Sequence, residues 1–297
     1  MRSKLLFLLS AAVAAMILLP ASVVAQQKPL KVLFFSKSSG YEHSVIARKD
    51  GKPSFAENLL AEVGPKQGVE FTFSKDGSLF TPEYIAGFDV LVFYTTGDLT
   101  TAGTDKNPPM TPEGKKALLS AINKGKGFVG VHCATDTFHT PETGTNHSEY
   151  HNDGNAADPY IQMIGGEFII HDKQQKAKSH VADPSFPGMP KEDFELFEEW
   201  YSLKNIGDDL HVLLVQETQD MQGKPYHRPP YPSTWARLQG KGRVFETSMG
   251  HREDVWTNPL FQDLLFGGIK WAAGQGSPDV KPTVQTVTPG YRELPPK

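Results

Sequence analysis

Cysteine is almost missing. Cys133 is the one thiol in 297 residues, so no intramolecular disulfide braces the fold and stability must come from a buried core. Long apolar runs are equally scarce. The longest, residues 5–19 with Ser10 its one polar member, sits between a basic start (Arg2, Lys4) and a small-residue stretch ending at Ala25. It falls short of the ~20 apolar residues that span a bilayer and reads as a secretion signal cut after Ala25. The expectation is an exported protein, periplasmic or extracellular, without a membrane span. No cysteine directly follows the cut, which argues against a lipid-anchored form. A basic surplus is lacking too: residues 26–297 carry 28 basic and 34 acidic side chains, a formal charge of −6. That balance favours neither nucleic acid nor anionic lipid as a partner.

What is present is an alternation of β-branched or aromatic runs with helical patterns, as a parallel sheet covered by helices requires. Residues 30–36 form a continuous apolar strand suited to burial on both faces. Phe55, Leu59, Leu60 and Val63 recur at helical spacing, and a strand over 69–73 follows. A strand over 88–95, a helix over 112–123 with proline in its first turn and a strand over 127–132 complete half of a doubly wound sheet. The second half is less regular. Residues 140–159 are rich in Gly, Asn, Asp and Pro and read as a long loop. A short helix over 160–163, strands near 167–171, 177–181, 211–216 and 242–247, a helix-like turn at 194–197 and a closing helix over 259–273 are expected. Residues 221–232 read as a second, proline-rich loop. One domain over residues 26–275 is long enough to bury its own core, and residues 276–297 read as a proline-rich, extended or mobile tail.

Ligands of such sheets sit at the carboxyl ends of the strands. The first strand runs into the polar loop Ser36-Lys37-Ser38-Ser39-Gly40-Tyr41-Glu42-His43-Ser44. The strand over 127–132 ends in Gly130-Val131-His132-Cys133-Ala134, the spacing of a sharp strand-to-helix elbow with a histidine where hydrolases of that type carry a nucleophile. Continued as α-helix, that turn sets Asp136 one turn from His132, to orient the ring or share a metal with it. The alternative for His132 is a core imidazole satisfied by a carbonyl. Cys133, one residue past the elbow, should point into the core as an inert thiol. Ser248-Met249-Gly250-His251 delivers another histidine to the same rim, and Glu199 is a candidate general base or metal-ligand carboxylate, against a solvated helix face as its alternative. His147 and His151, with Glu149 between them, lie in the polar loop and are read as solvated.

The pieces Gly40-Tyr41-Glu42-His43-Ser44, Gly130 to Asp136, Met163-Ile164-Gly165-Gly166-Glu167-Phe168, Glu199-Trp200-Tyr201 and Gly242-Arg243-Val244-Phe245 through His251, taken in order, resemble the ThuA-like, or trehalose-utilisation, family. The resemblance runs from about residue 30 to 273. It implies the flavodoxin-like α/β fold of class I glutamine amidotransferase relatives, a doubly wound, mostly parallel sheet with helices on both faces. Those relatives carry a catalytic cysteine at the elbow, and His132 in its place speaks against glutamine hydrolysis. Glu42 departs from the family's Gly-aromatic-Arg-His pattern.

The resemblance implies a carbohydrate-processing protein acting on a glycoside, disaccharide or 3-keto-sugar, as hydrolase, lyase or isomerase, with a small-molecule carbohydrate as partner. His132, Asp136, Glu199 and His251 are the candidate catalytic residues, and His43, Tyr41 and Tyr201 the candidate substrate-binding ones. His132, Asp136 and His251 are candidate ligands should a divalent metal ion serve as cofactor. The alternative is a non-catalytic carbohydrate-binding protein in which Tyr41, Trp200, Tyr201 and Trp235 stack on sugar rings. A third reading, an amidase or protease using Cys133, predicts inactivation by thiol reagents.

Overall fold

The computed structural model describes residues 28–140, 150–276 and 279–297. The expected secretion signal and its cut at Ala25 lie outside the described residues, as do His147 and Glu149. Among the described residues no helix is long and apolar enough to cross a membrane.

In chain order the elements are β1 (Leu30–Phe35), α1 (Phe55–Val63), β2 (Val69–Ser74), α2 (Pro82–Ala86), β3 (Val90–Phe93), α3 (Pro112–Asn123), β4 (Gly127–Val131), α4 (Pro159–Ile164), β5 (Glu167–Ile170), β6 (Gln175–Val181), β7 (Phe194–Glu198), β8 (Ser202–Lys204), β9 (His211–Gln216), β10 (Tyr231–Gln239), β11 (Gly242–Thr247), α5 (Glu253–Trp256), α6 (Pro259–Ala272) and α7 (Val284–Val287). Helix starts follow local chemistry. Ser54 and Glu57 form a reciprocal capping box at α1, while Thr81, Thr111, Asp158 and Asn258 each cap a helix whose first residue is proline.

Among the described residues nine strands form one sheet in the order β2-β1-β3-β4-β11-β10-β9-β6-β7, with β5 and β8 pairing apart. The run from β2 to β11 is parallel throughout; β10 and β6 alone run against the other seven. The order β2-β1-β3-β4-β11 is the flavodoxin-like winding, with its reversal at β1 and β3. Alternation along β1 sends Val32 and Phe34 into a core with Leu60 of α1 and Leu264 of α6, and Leu33 and Phe35 into a second core with Leu118 and Ile122 of α3. Helices therefore cover both faces of the parallel half.

Three expectations are corrected. The helix-like turn at 194–197 is strand β7, paired antiparallel with β6. The end of the proline-rich loop at 221–232 enters β10, the longest strand, which is central; Pro232 is accommodated because the register with β9 shifts between it and Thr234. The tail is packed rather than extended or mobile: Val284 and Tyr291 are buried, Thr283 and Val284 donate to Leu210 O, and the buried Arg228 guanidinium donates to Tyr291 O at 2.9 Å.

Candidate functional site

Four adjacent parallel strands, β1, β3, β4 and β11, end at one rim of the sheet, and the loops leaving β1, β4 and β11 bring His43, His132 and His251 there. His132 stands on the elbow in the left-handed region, with φ of 49°. Such a backbone costs a β-carbon-bearing residue roughly 1–3 kcal/mol, so its surroundings must enforce it. Gly130 is part of that enforcement: a Cβ there would collide with the Glu246 carboxyl and meet Ala134 Cβ at 3.0 Å. The turn then continues as a 3-10 helix, His132–Asp136.

His132 Nδ1 lies 2.8 Å from Ser248 O, a backbone acceptor, so Nδ1 carries the proton and Nε2 presents its lone pair to the site. Facing Nε2 are His251 Nδ1 at 3.3 Å and Glu199 Oε2 at 3.6 Å, and His251 Nδ1 donates to that same Oε2 at 3.0 Å. The His43 ring stands edge-on to both other imidazoles, with centroids at 5.0 and 5.1 Å. One ligand atom each from His43, His132, Glu199 and His251 lies within 4.8 Å of the other three.

Glu199 reaches this cluster from β7, four strands away from β11 in the sheet order, and the buried Glu198 carboxylate makes the junction. Its Oε2 accepts from the backbone amides of Gly250 and His251 at 2.8 and 3.1 Å, and its Oε1 accepts from Glu199 N at 2.8 Å. Tyr94 Oη and Trp256 Nε1 both donate to Gly250 O, clamping the loop that carries His251. Glu199 Oε1 lies 3.5 Å from His171 Nδ1 at the end of β5.

The protonation states diverge. Burial alone would push Glu199 up, but the two neighbouring imidazoles, with His251 hydrogen-bonded at 3.0 Å, outweigh it and hold the carboxyl well below the usual range. Burial would lower His251, yet the hydrogen bond to Glu199 and its charge leave the ring above its ordinary value. His43 is driven down to about 2, first by burial and then by the neighbouring His132 and His251, so it stays neutral. An ionised carboxylate, a ring that readily carries a proton and a neutral imidazole thus share one site.

The remaining sequence-predicted residues divide. Tyr41 is 69% exposed, its ring edge-on to His43 at 5.0 Å, at the open side of the cluster. Tyr201 is buried, with its ring 4.3 Å from that of His132 and its hydroxyl 3.4 Å from His43 Nε2. Asp136 does not join His132. A 3-10 turn has three residues per turn, so position i+4 lies about 120° round from position i. The Asp136 carboxylate instead accepts from His139 Nε2 at 2.6 Å, whose other nitrogen pairs with Glu167. Trp200 and Trp235 are core residues that spend their indole N–H groups on the Gln175 and Ile164 carbonyls and offer no sugar platform. Cys133 is fully buried, and that burial raises its thiol well above the usual value. Glu42 is balanced by the buried Lys75 ammonium at 2.8 Å.

Sequence reasoning missed Glu198 and His171. Position at a strand end, the signal that found His132 and His251, also marks His171. Nothing in the sequence distinguishes Glu198 as the buried member of the acid pair.

The ThuA family model, described as trehalose utilisation, matches residues 31–272. Among solved structures the chain is similar to a ThuA-like protein from Bacteroides uniformis ATCC 8492, at 18% identity over 86% of this chain and 96% of that one, with a TM-score of 0.60. It is also similar to a ThuA-like protein from Parabacteroides merdae ATCC 43184, at 18% identity over 90% and 98% of the two chains, TM-score 0.54. A cytoplasmic protein of Salmonella typhimurium LT2 follows at 14% identity over 82% and 98%, TM-score 0.51. At these identities the likeness establishes a shared fold. No curated protein matches the chain.

Proposed function

The chain belongs to the ThuA, or trehalose-utilisation, family, and from this premise we propose that it is an exported enzyme processing a glycoside, disaccharide or 3-keto-sugar by His/carboxylate acid–base chemistry. The observation that supports the reading is Glu199 held between His251 and His132, at 3.0 and 3.6 Å, with the carboxyl kept ionised and His251 kept ready to protonate. Removal of a proton beside a sugar carbonyl needs a base near the acidic carbon and a donor for the oxygen that gains charge. In the metal-free protein Glu199 takes the first role and protonated His251 the second. His132 aligns the pair from the elbow, and Tyr41 borders the approach.

Non-catalytic sugar binding is the weaker reading, since burial of Trp200 and Trp235 leaves Tyr41 as the one exposed aromatic of the four assigned to stacking. The test is a screen of disaccharides and their 3-keto derivatives with product analysis. Glu199→Gln and His132→Ala should each lower turnover by about 10²–10⁴-fold without changing the circular dichroism spectrum. Undiminished turnover in either variant would remove that residue from the chemistry, and binding without product would favour the alternative.

A further inference from the structure

We infer that His43, His132, Glu199 and His251 bind one divalent transition-metal ion of the zinc type. These four residues belong to the proposed acid–base site, but binding of the ion needs no particular substrate. Three donor atoms already stand at the corners of a triangle: His251 Nδ1 to Glu199 Oε2 is 3.0 Å, His251 Nδ1 to His132 Nε2 is 3.3 Å and His132 Nε2 to Glu199 Oε2 is 3.6 Å. Ligands about 2.0–2.2 Å from a tetrahedral ion are about 3.3–3.6 Å apart, so the triangle has the dimensions of one face of such a site. His43 supplies the fourth donor within the same 4.8 Å group.

Donor chemistry agrees. Two of the facing atoms are imidazole nitrogens, and the Ser248 carbonyl holds His132 in the tautomer that turns its lone pair inward. Metal-bound histidines characteristically give their other N–H to a backbone carbonyl or carboxylate in this way. His43 Nδ1 is an independent sign: the ring is buried, and among the described residues this nitrogen has no hydrogen-bond partner. An outer layer is built as well. Glu198 fixes the backbone of both Glu199 and His251, and His171 lies beside the second Glu199 oxygen. Three imidazoles and one carboxylate suit zinc, cobalt, nickel or ferrous iron rather than calcium or magnesium, which take oxygen ligands. Glu199 and His251 retain partial exposure, which leaves an entry path.

The test uses the purified protein without a histidine tag, stripped by chelator and titrated calorimetrically with zinc and with cobalt(II). The expected result is one equivalent bound per chain, with the visible absorption of low-coordinate cobalt. His132→Ala, His251→Ala and Glu199→Gln should each weaken binding by at least about tenfold. Asp136→Asn, which alters a carboxylate outside the set, should leave it unchanged. X-ray absorption on the zinc-loaded wild-type protein, which needs no variant to fold, should show a first shell of nitrogen and oxygen with imidazole scattering. No binding by folded wild-type protein, equal binding in the three variants, or a first shell without imidazole would each overturn the inference. Metal binding without sugar turnover would uphold the site and remove the sugar chemistry. Sugar turnover by metal-free protein that binds neither ion would do the reverse.

Discussion

Glu246 lies on β11 opposite Gly130, fully buried, and among the described residues neither carboxyl oxygen has a hydrogen-bond partner. Desolvation alone raises its pKa well above the ordinary 4.5. A group with a raised folded pKa contributes stability that is fully present below 4.5 and is lost as pH rises toward the folded value, because only the unfolded chain releases the proton. Glu246→Gln binds no proton in either state and is free of that dependence. In the interval above 4.5 in which the folded protein keeps this proton, the variant should therefore gain on the wild type by up to about 1.4 kcal/mol per pH unit. The amide also lacks partners, so the two proteins need not be equally stable at pH 4; the slope carries the prediction. Urea unfolding of both proteins at half-unit pH steps measures it, with the extrapolated stability difference plotted against pH. A difference that stays flat across the interval would show that Glu246 is ionised in the folded state, and the reasoning from its burial would fail.

Two further expectations follow from packing. Cys133 should resist an aromatic disulfide reagent in the native protein and react stoichiometrically in denaturant, because its thiol is fully buried and held protonated by that burial; rapid native labelling would reopen the thiol-enzyme reading. Truncation after Gln275 should destabilise the protein by at least about 3 kcal/mol in urea unfolding, since it exposes the pocket filled by Val284 and Tyr291. It also strips the Arg228 guanidinium and the Val212 amide of their partners, Tyr291 O and Thr283 Oγ1. An unchanged midpoint would mean that the tail contributes nothing to the fold.

The parallel half of the fold was legible because each of its signals is local. Continuous apolar strands, a helix over 112–123 matched to the residue and strand-end histidines all follow from neighbours in the chain. The antiparallel half was harder to see. Phe194 to Glu198 carries no clean alternation, and Pro232 argues against a central strand unless a register shift, which depends on β9, is known in advance. At the site, His132 and His251 could be named from strand ends, and Glu199 from its acidity, but Asp136 was placed with His132 by assuming α-helical spacing where the backbone makes a 3-10 turn.

Chain-local chemistry, then, settled which strands and helices form on the β1 to β4 side, where the elbow lies and which imidazoles reach the rim. Three-dimensional packing alone decided that the end of β7 meets the loop leaving β11, that Glu198 joins the two through three backbone amides, and that Glu199 meets two histidines while Asp136 meets another. The reason is physical. Secondary structure and turn strain depend on residues within a few positions, whereas the partner of a carboxylate is set by which distant loops and strand ends the folded sheet brings together.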